Sequence, residues 1–223
     1  MQVRVRTVTG VPVLQAYGMT ETSPLSNIDF VEPDKARPGS VGPASSDTEQ
    51  KVVDLYSADK ELPFGEEGEL MMRGGQVMQG YFNDPESTAE TLTKDGWLHT
   101  GDIARMDENG YVWIVDRKKE LIKYKGFQVP PAELEGLLLE HDSVADCAVI
   151  GKPDEESGEV PKAFVVPVNG TYPEAAELIA FVSSHVASFK QIREIEFVDA
   201  IPKNPSGKIL RRILVERERS QGS

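Results

Sequence analysis

"DRKKELIKYKGFQVPPAELE", residues 116–135, is where this chain changes character. Just before it, Val112–Val115 belongs to a strand-like run, "GYVWIVDR", rich in β-branched and aromatic residues and entered through the turn Asp107-Glu108-Asn109-Gly110. At its far end, Pro130 and Pro131 head a helix. Leu134, Leu137 and Leu138 follow at i, i+3 and i+4, which is one helical face. The charged text between them reads as a join. It divides the chain into residues 1–115, a connecting stretch at 116–120 and a second part at 121–218.

Moving toward the N-terminus, the text is short strands and turns. "VPVLQAYG" opens on a strand-like run, Val11–Leu14; "PGSVGPAS" is turn-rich; "QKVVDLYS" and "GELMMRGG" read as strands, with a short helix at Pro85–Thr93. Close turn signals of this kind suggest a small barrel or a distorted sheet. In the other direction, "PPAELEGLLLEH" is followed by strands at "VADCAVIG" and "PKAFVVPV" and an amphipathic helix at "YPEAAELIAFVSSHV". A strand at "REIEFVDAIP" and a final helix at "GKILRRILVERER" complete a compact α+β arrangement. The fold class is therefore α+β, a β-rich part followed by a smaller α+β domain.

Bulk properties narrow the function. The 223 residues can bury a sizeable core, and 39% hydrophobic with 27% charged content is globular composition. A net charge of −13 disfavours a duplex nucleic-acid binder. No apolar run approaches the roughly 18 residues of a membrane span. The N-terminal text, Met1 to Arg6, lacks a signal peptide's apolar centre, and Ser220–Ser223 is not a peroxisomal tripeptide, so a cytoplasmic setting is the expectation. The one cysteine, Cys147, sits in an apolar run and reads as a buried structural thiol. His99, His141 and His185 show no metal-ligand spacing.

Four motifs follow one another: "YGMTE" (17–21), "TGD" (100–102), "DRKKELIKYKGFQVPPAELE" (116–135) and "NPSGKILRR" (204–212). Each alone is weak. "TGD" is a common turn, and Lys208 after the Asn204-Pro205-Ser206-Gly207 turn is ordinary surface chemistry. Together, in this order, they resemble the adenylate-forming superfamily of acyl- and aryl-CoA ligases, nonribosomal adenylation domains and beetle luciferases. "IKYKGFQVPPAELE" is most similar to the 4-coumarate–CoA ligase group.

The resemblance implies an enzyme that joins a carboxylic acid to AMP, using ATP and Mg2+, and passes the acyl group to coenzyme A. It implies that 1–115 is the distal part of a large AMP-binding domain and 121–218 the mobile C-terminal domain. Tyr17 and Gly18 would line the adenine pocket, Tyr17 by stacking, although a core tyrosine is the plainer reading. Thr20 would donate to a phosphate oxygen, and Glu21 would offer Mg2+ the hard oxygen it prefers, with nucleotide phosphates as co-ligands. Asp102 would take the ribose hydroxyls, since an ionised carboxylate is acceptor-only, and Arg117 would contact ribose and phosphate. Lys119 matches the hinge, or is a solvated linker residue. Lys123, Gly126 and Gln128 match the thioester-step face, where Gly126, without a Cβ, would let the backbone approach a narrow pantetheine arm; as plain structure they are an edge hairpin whose lysines keep the edge soluble. Lys208 would meet the charge building on the reacting carboxylate and α-phosphate.

The resemblance begins late in such an enzyme. No Ser/Thr/Gly-rich loop ending in Pro-Lys precedes "YGMTE", so the expectation is a C-terminal portion that needs the upstream part of the same enzyme, inactive alone. Ala16 replaces a glycine common in the family, which leaves the acid substrate open. Two other readings stand beside the ligase: a non-catalytic nucleotide- or partner-binding fragment, and an adenylating enzyme that is luciferase-like or loads a carrier protein.

Overall fold

The structure is a computed structural model that describes residues 2–32, 34–57, 60–169, 171, 173–205 and 207–221. Met1, Tyr172, Ser206, Gly222 and Ser223, which the sequence readings include, lie outside the described residues. Met1–Lys118 and Lys119–Ser223 form two compact units.

The first unit opens with helix α1 (Gln2–Thr9) and a small antiparallel pair, β1 (Ala16–Tyr17) with β2 (Asn27–Ile28). Its main sheet is antiparallel, in chain order: β3 (Thr48–Val53), β4 (Gly68–Gly74), β5 (Leu98–Met106) and β6 (Val112–Arg117). Helix α2 (Pro85–Thr91) lies between β4 and β5 in sequence. Asp84 caps it by accepting from the Ser87 N–H at 3.0 Å, and Pro85 fills its first turn, where no donor is needed. Val41, Val52, Leu70, Met72, Ala104 and Val112 form the core of this unit.

Of the two expected shapes for this half, the distorted sheet is the one present; among the described residues no ladder joins β3 to β6. Its distortion is local. β4 pairs Met71 with His99 and Glu69 with Ile103, so Thr100, Gly101 and Asp102 stand opposite Leu70 alone. A second shift lies between Ile103 and Ala104 against β6. Bulges of this kind re-aim side chains. Val11–Leu14 forms no strand: Pro12 removes a ladder donor, Gly10 precedes it at φ 71, and Val11 stays 60% exposed.

The second unit begins with a hairpin, β7 (Ile122–Tyr124) and β8 (Phe127–Val129), whose two-residue turn, Lys125-Gly126, takes positive φ at both positions. Helix α3 (Pro131–Leu138) follows, then β9 (Val144–Asp154), β10 (Gly158–Pro167), α4 (Ala175–Ser183), β11 (Glu194–Phe197) and α5 (Arg211–Gln221). β10 pairs antiparallel with β9 and parallel with β11, and Gly158 bridges to Tyr124 of β7.

Alternation along β9 and β10 feeds two cores. Cys147, Val149, Ala163 and Val165 pack with Leu134, Leu138, Leu178 and Val182 of α3 and α4. Ala148, Ile150 and Phe164 pack with Leu214 of α5. A sheet covered on both faces needs near-continuous apolar strands, which is why "CAVI" does not alternate. Burial, with Glu135 and Asp146 nearby, pushes the Cys147 thiol up to about 12, as suits a structural cysteine.

Helix α5 is also held by charge. The Lys162 ammonium, on β10 and nearly buried, lies 2.7 Å from Glu218, 2.9 Å from Glu194 and 3.0 Å from Glu196. Lys152 joins Glu194 at 2.6 Å and Glu218 at 3.3 Å, and Arg217 pairs with Glu196. Burial alone would lower the Lys162 pKa; the three carboxylates outweigh it and raise it. Lys152 and Lys162 hold Glu194 below its ordinary value.

Replacing Lys162 with Met should cost about 3–5 kcal/mol, because the buried Glu218 keeps its charge and loses its closest partner. Denaturant unfolding measures this. A depressed carboxylate stabilises above its unfolded pKa and loses that contribution as pH falls through its folded pKa. Glu194 should therefore make the second unit acid-labile below its ordinary 4.5, with Glu194→Gln flattening the acid limb.

Candidate active site

In the first unit, Tyr17, Asp102 and Arg117 come together. Asp102 and Arg117 are cross-strand partners on β5 and β6. Arg117 Nε stands 3.0 Å from Asp102 Oδ1, and the Tyr17 hydroxyl donates to Oδ2 at 2.6 Å. The Asp102 carboxylate is nearly buried, at 5% side-chain exposure, while Arg117 is open to solvent on one side. Burial, and then the Asp102 charge, raise the Tyr17 phenol above its ordinary value, so it stays a donor. The Tyr17 ring itself packs partly on the first unit's core.

The bulge at Thr100–Asp102 is tied down from below. Thr100 Oγ1 donates to Leu70 O at 2.7 Å and accepts the Asp102 N–H at 3.1 Å. The Gly101 N–H, at φ 70, donates to Glu69 Oε1 at 3.2 Å. Glu69 is 3% exposed, and its other oxygen takes Lys118 Nζ at 2.7 Å and His99 Nδ1 at 3.3 Å. Sequence reading passed over Glu69. Its one signal was a carboxylate inside the apolar strand "GELMM".

The loop after Tyr17 is held by bonds of its own. Thr22 is fully buried. Its hydroxyl bonds the backbone of Met19 and accepts from Ser26 Oγ at 2.8 Å. That leaves the Thr20 side chain exposed. Glu21 Oε1 accepts the Tyr81 hydroxyl at 2.8 Å, and Glu21 O accepts the Met78 N–H at 2.8 Å. Glu21 thus faces Tyr81, and no bond links it directly to the Tyr17–Asp102–Arg117 group among the described residues. Those residues also hold no group of three or more His, Cys, Asp or Glu side chains able to hold a metal ion. A cation at Glu21 would need most of its oxygens from a bound ligand.

Lys119, Lys123, Gly126, Gln128 and Lys208 belong to the second unit. Lys123 and Gln128 are cross-strand partners in the β7–β8 hairpin, with the Lys123 N–H on Glu159 Oε2 at 2.8 Å. Lys208 closes a tight loop: Asn204 N–H to Lys208 O, Gly207 N–H to Asn204 O and Lys208 N–H to Asn204 Oδ1, each 2.9 Å. Lys203 bridges Ile209 across that loop. The side chains of Lys119, Lys123 and Lys208 are exposed and make no ion pair among the described residues.

Two glycines in the motifs are required differently. A Cβ on Gly18 would lie 1.7 Å from Pro24 O, so the backbone itself forbids a side chain. A Cβ on Gly126 meets nothing within 4 Å, and only its φ of 85 is costly. Gly18→Ala should therefore abolish the native first unit, read as lost near-UV circular dichroism. Gly126→Ala should cost only about 1–2 kcal/mol, read by thermal unfolding.

Comparison with known proteins agrees with this arrangement of motifs. The family model described as AMP-binding enzyme matches residues 1–82, and that of the AMP-binding enzyme C-terminal domain matches 133–208. 4-Coumarate–CoA ligase 1 of Glycine max is 50% identical over 204 residues, 90% of this chain and 69% of that sequence. 4-Coumarate–CoA ligase 2 of Nicotiana tabacum is 50% identical over 90% of this chain, which spans only 37% of the relative's length. The crystal structure of ATP-bound MatB from Rhodopseudomonas palustris aligns with a TM-score of 0.90 at 35% identity, over 97% of this chain and 42% of that one. The chain belongs to the AMP-binding, adenylate-forming enzyme family, within its 4-coumarate–CoA ligase group.

Proposed function

We propose that this chain is the C-terminal part of an ATP-dependent acid–CoA ligase. The observation that carries the proposal is the buried Asp102 carboxylate held between the Tyr17 phenol and Arg117, in a chain half identical to 4-coumarate–CoA ligases. In the first half-reaction the substrate carboxylate attacks the α-phosphorus of ATP, and pyrophosphate leaves. In the second, the thiol sulfur of coenzyme A attacks the acyl carbon, and AMP leaves.

The residues fit these roles by charge and placement. Tyr17 and Gly18 flank the adenine, Asp102 and Arg117 the ribose and its phosphate, and Thr20 the phosphate oxygens. Mg2+ bound with the nucleotide would neutralise phosphate charge, with Glu21 as its protein ligand, fixed by Tyr81. Lys208, exposed at the tip of a bonded loop, brings a cation to the carboxylate and α-phosphate. Lys123, Gly126 and Gln128 serve the thiol step, and Lys119 is the pivot between the two uses. The phosphate-cradling loop and acyl pocket come from an upstream segment of the same enzyme, so the acid remains defined only as a carboxylic acid. No helix among the described residues is long and apolar enough to cross a membrane. We place the enzyme in the cytoplasm.

The test uses a polypeptide that joins this chain to the upstream segment of a 4-coumarate–CoA ligase. Lys208→Ala should slow adenylation by about 10²–10³-fold, the scale of losing one oxyanion-type donor, and spare thioester formation from supplied acyl-adenylate. Lys123→Ala should do the reverse. Equal losses in both half-reactions for each variant would overturn the two-face assignment.

A further inference from the structure

We infer that Arg211 is a positioning residue that clamps the Lys208 loop at its exit and ties it to the residue that follows Lys119. The inference deepens the reading of Lys208 given above and rests on it. Arg211 opens α5, three residues after Lys208. Its guanidinium is largely buried, with 16% of the side chain exposed, and it faces two carboxylates. Toward Glu135 of α3 it presents a parallel fork, Nε to Oε1 at 3.3 Å and Nη2 to Oε2 at 2.6 Å. Toward Glu120 it donates from Nη1.

Both acceptors are themselves anchored. Glu135 is 7% exposed and also accepts the Val149 N–H at 2.8 Å, so its carboxylate is fixed to strand β9. Glu120 immediately follows Lys119 in the chain. A matching contact holds the entrance to the loop, where Lys203 Nζ lies 2.6 Å from Asp146 Oδ2, also on β9. The loop is thus strapped to one strand at both ends, and the bonds between Asn204 and Lys208 set its interior. The Lys208 side chain itself is exposed and makes no ion pair among the described residues.

The planar fork matters as much as the charge. A bidentate guanidinium–carboxylate pair fixes orientation, whereas a lysine ammonium is a point charge that fixes only distance. On the other side of the pivot, Lys118 is held by buried Glu69. Lys119 therefore lies between two residues that are each ionically fixed within their own unit.

Two variants test the clamp. Arg211→Lys keeps the charge and loses the fork. Glu120→Gln leaves the Arg211–Glu135 pair intact, and guards against a misfolded Arg211 variant. In this chain by itself, amide hydrogen exchange at Asn204, Gly207, Lys208 and Leu210 should accelerate by about tenfold or more in Arg211→Lys, because local opening no longer breaks a fork. Joined to the upstream segment, Arg211→Lys should slow adenylation by about 10–100-fold, the cost of a misplaced group, and leave thioester formation from acyl-adenylate within about twofold. Glu120→Gln should act in the same direction, with a loss of about 3–10-fold.

Unchanged exchange at these amides would overturn the clamp. So would equal losses in the two half-reactions, which would make Arg211 a matter of general stability. If Lys208→Ala slows adenylation and Arg211→Lys does not, the inference falls and the reading of Lys208 stands. If Lys208→Ala itself spares adenylation, that reading falls, and with it Arg211's role in positioning the chemistry.

Discussion

A carboxylate taken out of water must find donors, and this protein is arranged around meeting that requirement. Asp102, Glu69, Glu135 and Glu218 are each less than a tenth exposed. Each joins elements that the backbone ladder does not secure. Asp102 joins β1 to β6 through Tyr17 and Arg117. Glu69 stitches a bulge in β5 to the end of β6. Glu135 receives both an edge N–H of β9 and the guanidinium at the head of α5, and Glu218 draws the far end of α5 onto Lys162. Removing any one partner leaves a buried charge, so these pairs specify the arrangement even where their net stabilisation is small.

The sequence was informative where periodicity or turn chemistry acts locally. The Leu134/Leu137/Leu138 spacing marked α3, the apolar runs marked β9 and β10, and Lys125-Gly126 has the positive-φ turn a two-residue hairpin demands. Order among weak motifs marked the family. Three kinds of feature stayed hidden. The bulge at Thr100–Asp102 depends on register against β4, which no local pattern encodes. The strand expected at Val11–Leu14 does not form, because Pro12 removes a ladder donor from an otherwise apolar run. Partners such as Arg211 with Glu120, 91 residues apart, are set by tertiary packing; in the sequence they are charges among many.

Lysines divide in a way that bears on function. Lys118, Lys152, Lys162, Lys190 and Lys203 are engaged with carboxylates, and each fixes structure. Lys119, Lys123 and Lys208 are exposed and make no ion pair among the described residues. Exposure alone is a poor marker, because Lys94 is equally unpaired and lies in no motif. The distinction is in what surrounds the lysine. Lys208 stands on a loop strapped at both ends, and Lys123 on a hairpin bonded to Glu159. The role proposed for Lys208 asks for a fixed base and a free head, and these contacts provide the base. A second carboxylate near that head would compete with the reacting anion.

The first unit holds the complementary arrangement, an anion that is already occupied. Both Asp102 oxygens have a donor, Oδ2 from Tyr17 and Oδ1 from Arg117. If ribose binds there as proposed, one of its hydroxyls can replace the Tyr17 hydroxyl on Oδ2. Replacement exchanges one O–H donor for another, so the carboxylate loses little. The pairing keeps a buried charge satisfied, and any donor that takes the place of the phenol must do the same.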